Sequence, residues 1–311
     1  DGLAVFEQRL VEDALASGVP SADVATNEAI AIEEQLVAAL AFWAGHLNAV
    51  LSFGLDKPRL RQFLDWRQAD LQQVQETRLL AVCGGDGTVN EVASSIPSPP
   101  FPVAVLPAGT ANVIARDLGL PLDPVRALEI GLKRSVRRVD LGELGTVPRR
   151  RFVFVAGIGF DAFVAASVRP ALKDRLGMGA YALAILQCLR SYPFPGFEVA
   201  AGGRTFAATS CIVANARKYG GGLLFCPRAD MQDGLLDILV LEECGRIRLA
   251  RFLIEAWLGR PASPSWVHRL QSREVSVRGG GDIPVQADGE PAGPLPVDIG
   301  LMPSTFPLVV P

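Results

Sequence analysis

The sequence predicts an α/β fold with a parallel sheet in its first half and a β-sandwich in its second, and three observations support this class. Between residues 78 and 141, short apolar runs alternate with helical patterns, as in strands joined by crossover helices. The first of these runs, Arg78–Cys83, leads through a glycine loop into a helix. Beyond about Gly142, many short strands separated by Gly and Pro turns are typical of a sandwich.

The first 77 residues are predicted to be helical. Leu36–Leu55 contains 20 residues without a formal charge, which is near the length of a membrane span. Polar residues such as His46 and Asn48 lie inside it, and polar groups are costly at the centre of a bilayer. We therefore interpret this segment as a buried or membrane-leaning helix rather than a span.

The first glycine loop has the properties of a phosphate site. Gly84, Gly85 and Gly87 allow the backbone to adopt positive φ and to approach another molecule closely. The helix that follows offers free N–H groups and the positive end of its dipole. The loop matches neither the Walker pattern nor the dinucleotide pattern, and a tight Asp-Gly turn between two strands remains an alternative.

Further strands and helices follow in the order expected of a parallel sheet. Val103–Leu106 is a predicted strand, and Pro107–Asn112 is a second glycine-containing loop that opens a helix. Asp123 is predicted to cap another helix, with Pro124 at its first position. Val136–Leu141 is the next predicted strand.

The second half is predicted to be rich in strands with interleaved loops. Phe152–Ala156 is a strand that runs into a loop at Gly157–Ala162, and a helix covers Tyr181–Leu189. The remaining predicted strands are Phe197–Val199, Thr205–Ala214, Leu235–Leu241, Glu274–Val277, Ile283–Ala287 and Pro307–Val310.

Charge and composition restrict the function. The net charge is −3, which argues against nucleic acid as a partner. The two histidines give little support for a zinc site or a Ser-His-Asp hydrolase. The five cysteines form no CxxC pair, so we expect reduced thiols in a cytoplasmic protein. Two basic clusters are interpreted as solvated surface, with contact to an anionic membrane as the alternative: Lys133, Arg134, Arg137 and Arg138, and Arg149, Arg150 and Arg151.

Four constellations carry polar side chains suited to phosphate or metal chemistry. In the constellation Leu106–Asn112, the Thr110 hydroxyl and the Asn112 amide could donate to a phosphate or a ribose. The constellation Ala287–Glu290 contains two carboxylates in a tight turn, which could instead be only a hairpin turn without a role in chemistry. The four are Gly84–Glu91, Leu106–Asn112, Asn215–Leu236 and Ala287–Glu290.

Five motifs inside these and neighbouring stretches resemble the diacylglycerol kinase catalytic family, most of all its small bacterial lipid kinases. That family is related to sphingosine kinases and NAD kinases. The resemblance runs from about Arg78 onward. The motifs are, in order, GGDGTVNE, LPAGTANVIARDLGLP, AGIGFDA, GGGLLFCPRADMQDGLLDILVL and ADGE.

The resemblance implies a Rossmann-like α/β nucleotide-binding domain, a β-sandwich domain and a cleft between them. The α/β ATP-binding domain would cover residues 1–142, with an atypical helical region at 1–77. A β-rich lipid-substrate domain would cover residues 143–295, and residues 296–311 would return to the first domain.

The resemblance also implies ATP- and Mg²⁺-dependent phosphorylation of a lipid hydroxyl, with diacylglycerol as the default substrate and phosphatidic acid as the product. Glu290 or Asp288 would accept the hydroxyl proton, with Asp86 close to the metal and the triphosphate. A structural Mg²⁺ would be held by the Asp233 carboxylate and by backbone oxygens of Asp230 and Leu235. The nucleotide would contact Gly84, Gly85, Asp86, Gly87, Thr88, Val89, Asn90 and Thr110.

One departure from the family pattern keeps two other functions open. The Asn-Pro-x-Ser-Gly loop that helps members of the family to bind nucleotide is absent before Arg78. An NAD kinase-like enzyme is one alternative, and a non-catalytic nucleotide- or lipid-binding protein is the other. Asp233-Gly234 could also be only a turn before the next strand.

The expected partner is a lipid substrate at a membrane surface, reached by a cytoplasmic protein that associates peripherally with the membrane. The sequence leaves open which lipid is phosphorylated, because apolar pockets discriminate weakly between similar chains. It also leaves the oligomeric state open, a homodimer included.

Overall fold

The computed structural model describes residues 79–109, 111–133, 135–168, 178–219, 223–242, 244–259 and 264–311. All of these residues belong to one compact unit. The helical predictions for residues 1–77, including Leu36–Leu55, lie outside the described residues. Of the helices that the structure describes, none combines the length and the apolar character needed to cross a bilayer.

The first part of the described chain alternates strands and helices around two parallel strands. These strands are paired from Leu80↔Val103 to Gly84↔Pro107. Every residue of the second strand is buried, as expected for a parallel strand covered on both faces. The elements are β1 (Leu80–Gly84), α1 (Asp86–Ser95), β2 (Val103–Pro107), α2 (Val113–Asp117) and α3 (Pro124–Lys133).

The predicted start of α3 is confirmed. The carboxylate of Asp123 accepts a hydrogen bond from the N–H of Arg126 at 3.0 Å. That bond satisfies one of the N–H groups left without a partner in the first helical turn. Pro124 occupies the first helical position, where its missing N–H costs nothing.

The second part is built mainly of antiparallel strands, and its described residues also include three helices. Its elements up to the middle of the sandwich are β3 (Val136–Leu144), β4 (Arg150–Phe152), β5 (Val155–Gly159), α4 (Phe160–Ser167), α5 (Met178–Ser191), β6 (Phe197–Ala201), β7 (Arg204–Ala208) and β8 (Ser210–Ala214). They are followed by β9 (Lys218–Tyr219), β10 (Leu223–Leu224), β11 (Leu236–Leu241), α6 (Arg246–Trp257), β12 (Val267–Ser272), β13 (Glu274–Arg278), β14 (Pro284–Ala287), β15 (Glu290–Pro294) and β16 (Val297–Val309).

Two sheets pack face to face and confirm the predicted sandwich. One has the order β12-β11-β8-β5-β14-β15. The other has the order β1-β2-β16-β13-β6-β7, with β3 paired to β16 and β4 paired to β3. One apolar cluster draws on both sheets and includes Ile158, Val213, Ile238, Val199 and Val277. Burial of this shared interior is what holds the two layers together.

Strand β16 belongs to both parts of the molecule. Its first residues, Val297–Gly300, pair with β13, and its last, Phe306–Val309, pair with β3. Leu308 also lies beside Val103 of β2 in parallel orientation. The predicted domain boundary after residue 142 falls inside β3, so β3 and β16 are continuous across the division that the sequence suggests.

The strands predicted over residues 152–156, 205–214 and 307–310 differ from the structure, where the first is interrupted between β4 and β5 and the last is the end of the longer β16. β5 runs through Gly157-Ile158-Gly159, where the sequence predicted a loop, and α4 begins at Phe160. A β-carbon on Gly157 would collide with the Asp161 carboxylate, so this glycine makes room for a side chain rather than for a turn. The predicted single strand over residues 205–214 is two strands, β7 and β8, in different sheets.

The break between β7 and β8 occurs at Thr209. Its N–H donates to the carbonyl of Leu241 at 3.0 Å, and its hydroxyl accepts from the N–H of Cys244 at 3.0 Å. These bonds stabilise the corner where the chain changes sheets. The sequence does not reveal this corner, because apolar residues continue through it: β7 alternates exposed and buried residues, and every residue of β8 is buried.

We predict that Val139→Ala lowers the free energy of unfolding by about 2 kcal/mol, since it removes two methyl groups from a packed interior. Val139 is fully buried on β3, opposite Phe306 of β16. The matched control is Val147→Ala, because Val147 is fully exposed and its loss is expected to change stability by less than about 0.5 kcal/mol. Urea denaturation of both variants measures the difference, and equal effects would contradict the assigned role of β16 and β3.

Candidate nucleotide and carboxylate site

Two glycine loops meet at the carboxyl ends of β1 and β2. The N–H of Ala108 donates to the carbonyl of Gly84 at 3.0 Å. A β-carbon on Gly109 would lie 2.5 Å from the Cα of Gly85, which is closer than real β-carbon contacts. Glycine at both positions therefore lets the two backbones touch. Loops at the carboxyl edge of a parallel sheet are the usual position for a ligand.

The second loop is closed by its own side chain. The Asn112 amide accepts from the N–H of Gly109 at 2.9 Å and donates to its carbonyl at 2.7 Å. Asn112 itself adopts a left-handed conformation with φ of 47°. Its amide is thus used within the loop, whereas the sequence suggested that it could donate to a ligand. Thr110 lies outside the described residues.

Asp86 is the first residue of α1 and links the two loops. Its carboxylate accepts a hydrogen bond from the N–H of Ile114 in α2 at 3.0 Å. The backbone N–H groups of Asp86 and Gly87 lie in the first turn of α1, where an α-helix supplies no acceptor. The positive end of the helix dipole therefore faces the same place as the two glycine loops.

The residues that follow in α1 differ in what they can offer a ligand. Val89 is fully buried, and its N–H donates to the carbonyl of Gly85 at 3.2 Å. Thr88 is only 4% exposed. In the part of the chain that the structure describes, neither its hydroxyl nor the Oδ1 of Asn90 has a hydrogen-bond partner, although both atoms are buried. A buried hydroxyl without a partner is costly, and a bound polar group would remove that cost.

Asp288 and Gly289 form a two-residue turn between β14 and β15, with φ of 47° and 86°. The hairpin-turn alternative therefore describes the backbone correctly. The turn is also held from the side: the Asp288 carboxylate accepts from the N–H of Val153 at 2.7 Å, of Val155 at 2.8 Å and of Phe154 at 3.1 Å. Glu290 follows directly as the first residue of β15 and is half-buried.

Burial raises the pKa of the Asp288 carboxyl to about 7, although the three backbone N–H groups favour its ionised form. The negative charge of Asp86 raises this pKa further. Asp86 and Asp288 therefore lie within electrostatic reach of each other. The first glycine loop and the carboxylate turn are therefore coupled through the charges of Asp86 and Asp288.

Hydrogen bonds of the Gln286 side chain to Asp161 and Gly289 support the carboxylate turn, and the sequence did not reveal them. Gln286 is fully buried; its amide donates to the Asp161 carboxylate at 2.6 Å and accepts from the N–H of Gly289 at 2.6 Å. Burial raises the pKa of Asp161 to about 6, while the bond from Gln286 opposes this. The only sequence signal for these hydrogen bonds was the glycine at 157, which leaves space for both side chains.

The predicted metal turn is a compact loop before β11. The N–H of Leu235 donates to the Asp233 carboxylate at 2.9 Å, and the N–H of Gln232 donates to the Asp230 carboxylate at 3.1 Å. Both carboxylates are exposed. Asp230, Asp233 and Leu235 thus occur together in one turn, as the resemblance implies.

Two buried polar residues that were not assigned as site residues join this turn to the carboxylate turn. Asp140 accepts from the N–H of Gly234 at 2.9 Å. The Asn215 amide donates to the carbonyl of Asp140 and to the carbonyl of Val153, both at 2.8 Å. Val153 is one of the residues whose N–H binds Asp288. No local motif identifies Asp140, because its role depends on partners distant in the chain.

The metal turn offers oxygen ligands and closely spaced carboxylates to a cation. Gln271 donates to Asp233 at 3.3 Å and to Asp237 at 3.0 Å, and burial followed by the charge of Asp233 raises the pKa of Asp237. Oxygen ligands and crowded negative charge fit Mg²⁺ better than a transition metal. Among the described ranges, no group of three or more His, Cys, Asp or Glu side chains is arranged to hold a metal by itself.

Two family models match the sequence. The diacylglycerol kinase catalytic domain matches residues 62–144, and the YegS C-terminal NAD kinase beta sandwich-like domain matches residues 154–310. The second match alone covers half of the chain. Together they include both glycine loops, the metal turn and the carboxylate turn.

Named relatives agree with these models. A protein of Chromohalobacter salexigens named "Probable lipid kinase YegS-like" is 34% identical over 73% of this chain and 74% of its own. A protein of Mycobacterium tuberculosis named "Diacylglycerol kinase" is 32% identical over 76% of this chain and 77% of its own.

Solved structures show the same fold. A diacylglycerol kinase from Bacillus anthracis str. Sterne superposes with a TM-score of 0.59 at 19% identity, covering 83% of each chain. A further solved chain from that organism reaches a TM-score of 0.64 at 23% identity, covering 80% of this chain and 83% of the other. With the family models and the relatives above, this places the chain in the diacylglycerol kinase catalytic family, among the bacterial YegS-like lipid kinases.

Proposed function

We propose that this lipid kinase transfers the γ-phosphate of ATP to a lipid hydroxyl with Mg²⁺, and that diacylglycerol is the substrate. The observation that carries the proposal is the buried Thr88 hydroxyl, which lacks a partner among the described residues at the start of α1. It lies beside the glycine loop, where a β-carbon on Gly84 would collide with it. A phosphate bound to the free N–H groups of this turn would give the hydroxyl an acceptor.

Different residues of the site would bind the phosphates and neutralise charge during phosphoryl transfer. The loops at Gly84–Gly87 and Gly109 would approach the triphosphate with bare backbone. Such a reaction depends on positioning and charge neutralisation more than on covalent help from the protein. Mg²⁺ bound with ATP would supply part of that neutralisation, and Asp86, at the start of α1, is the carboxylate that we propose would hold it.

We assign the proton acceptor to Glu290 rather than to Asp288. Both carboxylate oxygens of Asp288 already accept backbone N–H groups, so this side chain holds the turn in position. Glu290 is the next carboxylate along the hairpin, paired with Ala287 across β14 and β15. As the lipid oxygen bonds to the γ-phosphorus and the bond to the ADP oxygen breaks, the hydroxyl proton passes to Glu290.

The structural Mg²⁺ would be held at the turn of Asp230, Asp233 and Leu235. Its proposed role is to neutralise the crowded carboxylates there and to fix the turn that Asp140 and Asn215 connect to Asp288. Because its lipid substrate stays in the bilayer, we propose that the protein acts at a membrane surface as a peripheral, cytoplasmic enzyme. The proposed reaction does not depend on the oligomeric state, and a homodimer is compatible with it.

We predict that Thr88→Val raises the apparent KM for ATP by roughly ten- to hundredfold, because it removes one hydrogen bond to a charged phosphate. The variant is expected to keep or slightly increase its melting temperature, since the hydroxyl has no partner among the described residues. The matched control is Thr209→Val, whose hydroxyl accepts from Cys244 N–H. That control should lose stability without a change in KM for ATP, and the reverse pattern would exclude the phosphate role of Thr88.

We predict that Glu290→Gln lowers kcat by about 10²- to 10⁴-fold, while KM for ATP and the melting temperature stay near wild type. The measurement is transfer of labelled phosphate from ATP to diacylglycerol, sphingoid bases and other lipid alcohols in mixed micelles, and to NAD. Transfer to one lipid that is lost in the variant supports the proposal. Transfer to NAD alone would establish an NAD kinase, and ATP binding without any transfer would establish a non-catalytic protein.

We predict that the free energy of unfolding falls as the pH rises from about 4 to about 7, in part because of Asp288. An aspartate has a pKa near 3.9 in an unfolded chain and about 7 here, so the folded protein binds more protons in that window. In Asp288→Asn the slope between about pH 6 and 7 should flatten, and the remaining slope below pH 6 should follow Asp161. Urea titrations across this range check the prediction, and an unchanged slope would contradict it.

A further inference from the structure

Helix α6 is apolar on two opposite faces. Leu249, Phe252 and Ala256 form its buried face, and the ring of Phe252 stacks on that of Phe225 at 6.2 Å. On the opposite side, Ile247 is 87% exposed, Ile254 is 59% exposed and Leu258, just past the last turn, is 58% exposed. At 3.6 residues per turn these three positions lie on one line, half a turn away from the buried face.

This exposed line is widened by neighbouring apolar side chains. Trp257 is 71% exposed, at the edge of the same surface. We call Ile247, Ile254, Trp257 and Leu258 the outer face of α6. Helix α5 contacts α6 and exposes Leu186, at 63%, and Leu183. Arg251, which is exposed, lies on the same line between Ile247 and Ile254, so the surface combines exposed apolar side chains with a cation. That combination is typical of a helix at an interface rather than of a solvated helix.

The charges of α6 indicate which partner this surface fits. Arg246, Arg248 and Arg251 are exposed along the helix, against one acidic residue, Glu255, which Arg251 binds at 2.8 Å. An anionic lipid surface complements both features, because its acyl region accepts the apolar line and its phosphates accept the arginines. A second copy of this chain would bring the same arginine excess into the contact, which argues against self-association through this face.

The surface is connected to the carboxylate turn by direct packing. α6 contacts α5, α5 contacts α4, and α4 packs on β14 and β15, the two strands that flank Asp288 and Gly289. A membrane under α6 would therefore lie on the helical side of the sandwich that supports the proposed proton acceptor. A lipid kinase needs such an arrangement, because its substrate remains in the bilayer.

We propose that the outer face of α6 docks the protein onto an anionic bilayer, with the helix lying in the plane of the interface. Ile247, Ile254 and Leu258 enter the boundary between headgroups and acyl chains, and Trp257 sits at that boundary, as tryptophan does at membrane interfaces. Arg246 and Arg248 extend towards lipid phosphates. This inference rests on the proposed function for its purpose, and vesicle binding can be measured without turnover.

The test is co-sedimentation of the full chain with vesicles that contain neither diacylglycerol nor ATP. Vesicles of phosphatidylcholine alone are compared with vesicles holding about 30 mol% phosphatidylglycerol, an anionic lipid. The apolar variant is Ile247→Ser with Ile254→Ser. Its matched control is Leu122→Ser with Val147→Ser, two exposed apolar residues away from α6. The charge variant is Arg246→Gln with Arg248→Gln.

We expect wild type and the matched control to bind the anionic vesicles, and the apolar variant to bind at least about tenfold more weakly. The charge variant should lose the preference for anionic vesicles, and high salt should reduce that preference in wild type. Melting temperatures of all variants should match wild type, since the substituted side chains are exposed. Equal binding by wild type and the apolar variant would overturn the proposal.

Two further measurements separate this inference from other outcomes. If the apolar variant halves the mass of the protein in light scattering and leaves vesicle binding unchanged, the face is a contact between copies and the proposal is wrong. Activity on a short-chain diacylglycerol below its micellar concentration should be equal in wild type and in the apolar variant. Vesicle binding without any kinase activity would support the docking face and overturn the proposed function instead.

Discussion

The structure depends on carboxylates that are satisfied by backbone N–H groups rather than by cationic side chains. Asp288 accepts three such groups from Val153–Val155, Asp140 accepts from Gly234 and Ser304, and Asp86 accepts from Ile114. A buried carboxylate without donors would be very costly, so each of these side chains requires its partner segment to be in place. Because backbone N–H groups are fixed by the fold, the positions of the carboxylates are fixed with them. The candidate site is therefore a direct product of chain topology.

The same bonds connect the two acidic turns of the second part. Gly234 in the metal turn binds the Asp140 carboxylate, the Asp140 carbonyl binds Asn215, and Asn215 binds Val153 beside Asp288. Each hydrogen bond in this series joins groups that are largely buried. Hydrogen bonds are strong in such surroundings, and a missing partner costs free energy. A change in the metal turn would reach the carboxylate turn through three residues. If the proposed cation binds at Asp233, this connection would let it influence the carboxylate turn without touching it.

The fold class and most of the glycine loops could be predicted from the sequence, because the patterns that indicate them are local. Apolar runs at strand length, glycines between strand and helix, and the Asp123-Pro124 cap each depend on residues a few positions apart. Asp140, Asn215 and the Asp161–Gln286 pair were not assigned roles, because the partners that define these roles lie between 62 and 164 residues away along the chain. The corner at Thr209 was missed because apolar residues continue through it into β8, where every residue is buried. Helix α6 was missed because it carries apolar residues on both faces, which obscures the helical pattern.

Strand β16 also determines when the sheet that contains β2, β3 and β13 can form. It is the strand that joins β2, β3 and β13 in one sheet, and among the described strands it is synthesised after all of them. Until residues 297–309 have left the ribosome, β2 has β1 as its partner on one side and an open edge on the other. The first two loops are translated more than 180 residues before that edge is closed, since β2 ends at Pro107 and β16 begins at Val297. The edge of β2 that faces away from β1 therefore gains its partner only after β16 has been synthesised, so this pairing cannot form early in the order of synthesis.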